Sequence, residues 1–69
     1  MFQTKVRISQ HHHASGKRSI ISGWLTLEDA QRLQGEWSEF TPSTDILTIR
    51  GRFGRTIGLG LMGRLPAAW

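Results

Sequence analysis

The densest basic stretch of the chain, RGRFGR at residues 50–55, carries the strongest chemical signal. It sets Arg50, Arg52 and Arg55 around two glycines and Phe53. Guanidinium groups present planar forks of N–H donors that match phosphate oxygens, and an exposed aromatic ring can stack on a base. This pattern favours contact with nucleic acid. The structural alternative is a β-turn whose arginines keep a sheet edge soluble and whose phenylalanine belongs to the core.

Three consecutive histidines at residues 11–13 raise the question of a metal site. In an extended segment His11 and His13 share a side while His12 points away, so at most two of them could bind one ion. The chain has no cysteine, and no acidic residue lies close by in sequence. We therefore interpret the run as part of a solvated loop and predict neither a metal ion nor a cofactor.

Residues 58–63, GLGLMG, match the G-x-G-x-x-G pattern of dinucleotide-binding proteins. That site needs a helix that begins within the motif and a βαβ unit of about 30 residues around it. Few residues follow Gly63, and Pro66 is among them, so we interpret the match as accidental. Serine, histidine and aspartate also occur without the spacing of a known catalytic motif, and an enzyme is not predicted.

The charge of the chain is unevenly distributed. The net charge is +4, from nine basic and five acidic residues. Residues 26–40 hold four of the acids and one arginine, a net charge of −3, and the remainder holds eight basic residues and only Asp45, a net charge of +7. Such asymmetry predicts a negatively charged partner, either nucleic acid or an acidic or nucleoprotein surface.

A chain of 69 residues is expected to form a single domain, residues 1–69. The first residues lack the apolar segment of a signal peptide, and the longest apolar run is far shorter than the ~20 residues of a membrane span. We expect a cytoplasmic protein without a membrane partner, or one acting in a host cytoplasm if a phage encodes it. A homodimer is a further hypothesis, because so small a core gains from additional buried area.

One amphipathic helix is predicted over residues 26–40, TLEDAQRLQGEWSEF. Thr26 is suited to cap its N-terminus, since a threonine hydroxyl can accept a hydrogen bond from an unpaired amide of the first turn. Gly35 allows the helix to end early, but we favour continuation because the apolar stripe extends beyond it. The stripe that should face the core consists of Leu27, Ala30, Leu33, Trp37 and Phe40.

The remaining apolar patterns alternate and predict strands over residues 2–9, 18–25, 45–53 and 55–62. A long basic loop at 10–19 and a turn at Gly54 would close two hairpins, and the tail 64–69 is expected to be irregular. The result is an α+β fold in the order β-β-α-β-β, a small antiparallel sheet with one helix packed on one face. The predicted inward residues are Phe2, Thr4, Val6, Ile8, Leu47, Ile49, Phe53, Ile57, Leu59 and Leu61.

Alternation sends the basic residues of these strands to the face away from the helix. The predicted binding residues are Lys5, Arg7, Arg50 and Arg52 on that face, with Lys17, Arg18 and Arg55 at its rims. Phe53 is added as the ring that would stack on a base if it does not belong to the core. We predict a small non-catalytic protein that binds nucleic acid largely without sequence preference, because no helix is suited to the major groove. The alternative is a phage or mobile-element inhibitor, such as an anti-CRISPR or anti-restriction protein, that binds a protein or nucleoprotein complex.

Overall fold

The computed structural model describes residues 5–66, which form a four-stranded antiparallel sheet with one helix packed across it. The elements are β1 (Val6–His11), β2 (Arg18–Ile20), α1 (Leu27–Ser38), β3 (Ile46–Gly51) and β4 (Leu61–Met62). This confirms the predicted α+β fold and its β-β-α-β-β order. Within the described part of the chain, no helix has the length and apolar character needed to cross a membrane.

The two hairpins meet along β1 and β3, so the sheet order is β2-β1-β3-β4. Val6 and Ile8 of β1 and Leu47 and Ile49 of β3 point toward the helix, as predicted, and are buried together with Ala30. Fully burying one such aliphatic side chain contributes about 1.5–3 kcal/mol. A core this small therefore depends on each of its members.

The helix begins where the sequence predicts. The Thr26 hydroxyl accepts a hydrogen bond from the Asp29 amide at 3.2 Å, and the helix continues past Gly35 to Ser38. The predicted stripe is partly wrong. Phe40 is 76% exposed because it lies in the turn after the helix has ended, and Leu27 is 39% exposed at the first position of the helix. Trp37 is half-buried and packs against the core.

The most buried line of the helix is polar at two of its three positions, Ala30, Gln34 and Ser38. The Gln34 side-chain amide donates to the carbonyl oxygens of Leu47, at 2.9 Å, and Leu59, at 3.1 Å. The Ser38 hydroxyl donates to the Gly35 carbonyl at 2.7 Å. These bonds satisfy groups that would otherwise be costly to bury, and the Gln34 amide ties the helix to β3 and to the segment before β4.

The first hairpin differs from the prediction at both strands. β1 runs on to His11, which shortens the loop, and the expected inward residues Phe2 and Thr4 lie outside the described residues. The predicted strand 18–25 is regular only as far as Ile20. After it the chain bulges away from β1, and the Ser22 hydroxyl takes the place of a backbone carbonyl by accepting from the Ile8 amide at 2.8 Å.

The second hairpin has the predicted turn but shorter strands. β3 ends at Gly51, and Gly54 adopts the left-handed conformation (φ 78°) that closes the turn. Phe53 is consequently 98% exposed, so its predicted place on the inner face is wrong. Only Leu61–Met62 form β4, because the chain turns at Gly58 (φ 74°), and Leu59 is 89% exposed instead of inward.

The segment after β4 is tied to the body of the protein by backbone hydrogen bonds. The Arg64 amide donates to the Ser38 carbonyl, and the Leu65 amide donates to the Thr41 carbonyl. Gly63, which precedes these two residues, is buried, and a Cβ atom added to it would overlap the carbonyl oxygens of Thr41 and Pro42. The last three residues of the predicted irregular tail, 67–69, lie outside the described residues.

Two matched glycine substitutions test this packing. Gly63→Ala should lower the free energy of unfolding by about 1–3 kcal/mol, since the new methyl group meets backbone atoms that cannot rotate away. Gly35→Ala should raise it by about 0.5–1 kcal/mol, because the site is helical and open, with no atom within 4 Å of the added Cβ. Urea unfolding measures both, and a stabilised Gly63→Ala variant would contradict the described packing of residues 63–65.

Candidate nucleic-acid interface

The sheet face opposite the helix, here called the open face, has side chains in three rows across the strands. The register pairs Arg7 with Arg50 in the first row. The second row joins Ile20, Ser9 and Thr48, and the third joins Arg18, His11, Ile46 and Met62. Alternation thus brings basic residues from three strands onto one surface, as the sequence predicts for Arg7 and Arg50.

A depression lies between the longer arginines at the short side chain of Ser9 in the second row. Ser9 is buried in its floor, and the cavity has a volume of about 340 Å³. The depression, here called the arginine pocket, is lined by four guanidinium-bearing residues and one aromatic residue: Arg7, Arg18, Arg50, Arg52 and Phe53. Arg52 and Phe53 reach it from the turn that follows β3.

Arg7 lies over the indole ring of Trp24, with its guanidinium carbon 4.2 Å from the ring centroid. A cation–π contact at a surface site contributes about 0.5–1 kcal/mol and holds the guanidinium plane against the ring. Trp24 is 45% exposed, so the pair remains accessible to a ligand. The sequence prediction did not include Trp24, although alternation from Arg18 through Ile20 would have placed it on this face.

Arg50 also supports the turn that displays the aromatic ring. Its Nε donates to the Gly54 carbonyl at 2.9 Å, and its Nη2 donates to the same oxygen. Two donors on one carbonyl fix the guanidinium plane and the position of residues 51–55 relative to β3. Phe53 therefore projects from an anchored turn rather than from a free loop.

The structure separates the predicted binding residues into two groups. Those that line the pocket are Arg7, Arg18, Arg50, Arg52 and Phe53. Lys5, Lys17 and Arg55 are exposed and do not line it. Within residues 5–66, the ion pairs are Arg32 with Asp29, Arg64 with Glu39 and His12 with Asp45, so none of the predicted basic residues is neutralised by a carboxylate there.

The histidine run meets an acid that is distant in sequence. Asp45, 7% exposed, accepts from the Gln10 side chain at 2.7 Å and from the His13 amide at 3.3 Å. His12 contacts the same carboxylate through Nδ1 at 3.4 Å and Ser19 through Nε2 at 2.9 Å. This cluster fastens the first loop to the start of β3. Across the described residues, no three His, Asp or Glu side chains are grouped to hold a metal ion.

The hydrogen bond from Gln10, assisted by the His13 amide and the Thr44 hydroxyl, lowers the pKa of Asp45 below its ordinary value, although burial opposes the shift. A depressed carboxyl pKa stabilises the fold fully above about pH 4, and this contribution is lost as the pH falls through the lower folded value.

Asp45→Asn should therefore destabilise the protein at pH 7 and reduce the loss of stability on acidification below about pH 4. Urea unfolding between pH 7 and pH 2 measures both effects. Glu36→Gln removes the same charge from an exposed helix position and should leave stability at pH 7 nearly unchanged. An Asp45→Asn variant as stable as the wild type at pH 7 would show that the cluster does not hold the loop.

Comparisons of this chain with protein-family models, with curated proteins and with solved structures find no match.

Proposed function

We propose that the protein binds single-stranded nucleic acid through its open face. The observation that carries the proposal is the placement of the nearly fully exposed Phe53 beside the arginine pocket, with Trp24 stacked under Arg7 at another point of the same face. Positively charged surfaces with exposed aromatic rings are the common device for binding single strands, because the arginines contact phosphates while the rings stack on bases.

The distribution of charge supports the same proposal. The acidic residues of the helix, Glu28, Asp29 and Glu36, belong to the element that packs on the opposite side of the sheet. Asp45 is engaged by Gln10 and His12 on the helix side of the sheet. Among residues 5–66, no carboxylate lies on the open face to oppose its positive potential, and such a surface attracts a polyanion.

A single strand fits this surface better than a duplex. The helix is acidic on its exposed side and is packed against the sheet, so it is not available to enter the major groove. Stacking on Phe53 requires an unpaired base whose face is accessible. Contacts to phosphates and to base faces carry little sequence information, and binding should be largely independent of sequence.

A second candidate is an inhibitor that binds a protein surface. The open face also exposes the apolar side chains of Ile20 (56%) and Met62 (60%), each on an edge strand. Exposed apolar groups at a sheet edge suit a protein partner that adds a strand there. This candidate becomes the favoured one if the protein binds no nucleic acid at 50 mM salt, a condition under which phosphate contacts are strong.

Phe53→Ala should weaken binding to a single-stranded oligonucleotide by about 5- to 150-fold, the range expected for the loss of one base–aromatic stack, with little effect on duplex binding. Because Phe53 is 98% exposed, the melting temperature should not change. Fluorescence anisotropy measures the affinities. The control is Phe40→Ala, which removes a second exposed ring outside the pocket. Equal losses for single-stranded and duplex ligands would exclude base stacking by Phe53.

Arg52→Ala should make the salt dependence of single-strand binding shallower, by about 0.7 in the slope of log K against log salt for one lost phosphate contact. Anisotropy titrations between 50 and 200 mM salt give this slope. Arg32→Ala is matched in net charge but changes an exposed helix residue that pairs with Asp29. The same slope change in both variants would mean that overall charge, not the open face, governs binding.

A further inference from the structure

The arginine pocket combines features that suit one particular part of a nucleic-acid strand. Four arginines from β1, β2, β3 and the following turn line a single depression of about 340 Å³. This volume is at the lower end of the range for small-molecule sites, about 300–1,000 Å³. A site of this size accommodates one small ligand group rather than an extended length of polymer.

The charge of the pocket exceeds what one internal phosphate requires. Among residues 5–66, no carboxylate lines the pocket or pairs with Arg7, Arg18 or Arg52, so a bound anion would meet these guanidinium groups without a competing carboxylate. Arg50 adds a fourth positive charge, although two of its donors are engaged by Gly54. An internal phosphodiester carries one negative charge, whereas a terminal phosphate monoester carries about −1.5 to −2 at pH 7 and offers three acceptor oxygens.

The turn supplies a base-binding element next to this cationic cluster. Residues 51–54 form one edge of the pocket, and the ring of Phe53 on this edge is exposed and can stack on a base. Arg7, Arg18 and Arg50 reach the pocket from the adjacent strands. A phosphate held between the arginines would therefore have its own base within reach of an aromatic ring. A free inorganic phosphate would use only the cationic half of the site.

From this arrangement we propose that the arginine pocket binds the terminal phosphate of a nucleic-acid strand, with the terminal base stacked on Phe53. The proposal rests on the proposed function and refines it, since it assigns the strand end to the pocket and the rest of the strand to the open face.

The test compares one ten-nucleotide single strand in three forms: with a 5′-phosphate, with a 3′-phosphate and with hydroxyls at both ends. Anisotropy at 150 mM salt should show one phosphorylated form binding about tenfold tighter or more, as expected for new charge-assisted hydrogen bonds, and the tighter form identifies the strand end that is bound. Equal affinities for all three forms would overturn the pocket assignment and leave the proposed function intact.

A pair of neighbouring variants locates the effect. Arg18→Ala removes a pocket residue and should abolish the preference for a terminal phosphate, whereas Lys17→Ala removes an adjacent exposed charge that does not line the pocket and should retain it. Loss of the preference in both variants would overturn the assignment. Thermal melting of each variant verifies that the fold is kept.

Isothermal titration calorimetry with small ligands, in the absence of any oligonucleotide, tests the pocket assignment separately from the proposed function. A nucleoside monophosphate should bind more tightly than the corresponding nucleoside and than inorganic phosphate. If the monophosphate binds while no oligonucleotide does, the proposed function fails and the assignment to a strand end fails with it, although the pocket binds a nucleotide phosphate. If inorganic phosphate binds as tightly as the monophosphate, stacking on Phe53 is excluded and the proposal is overturned.

Discussion

One helix covers the four-stranded sheet on a single face, and the rest of the structure depends on this constraint. Because side chains alternate along a strand, burying Val6 and Ile8 under the helix sends Arg7 and Ser9 to the other side. The same rule on β3 buries Leu47 and Ile49 and places Arg50, which is half-buried, on the open face. A basic open face is thus the direct consequence of a core that can form on one side only.

The small core is supplemented by polar interactions at well-defined points. Gln34 reaches from the helix to β3 and to the segment before β4, and Asp45 reaches from the start of β3 to the first loop. In residues 5–66 no buried side-chain nitrogen or oxygen atom is without a hydrogen-bond partner. Such bonds favour one arrangement over others, because an alternative packing would leave the same groups buried and unpaired.

These features also explain why the candidate site is found at the ends of strands. The early end of β3 at Gly51 and the contact of Arg50 with Gly54 turn Arg52 and Phe53 out of the sheet and over the edge of the pocket. The bulge after β2 similarly brings Trp24 beside Arg7. If β3 had continued regularly to residue 53, alternation would have placed Phe53 on the helix side of the sheet, and the pocket would have no aromatic ring at its edge.

The sequence by itself determined the α+β order, the helix with its Thr26 cap, the inward residues at the centre of the sheet and the basic character of the opposite face. Each of these depends on periodicity, capping or charge, which are local properties of the chain. Only the tertiary structure decided where the strands end, and hence the exposure of Phe53, Leu59 and Phe40. It also decided the partners of Gln34, Asp45 and Arg7, because these contacts join segments that are distant in sequence. Local patterns of residue type do not predict which distant side chains will meet.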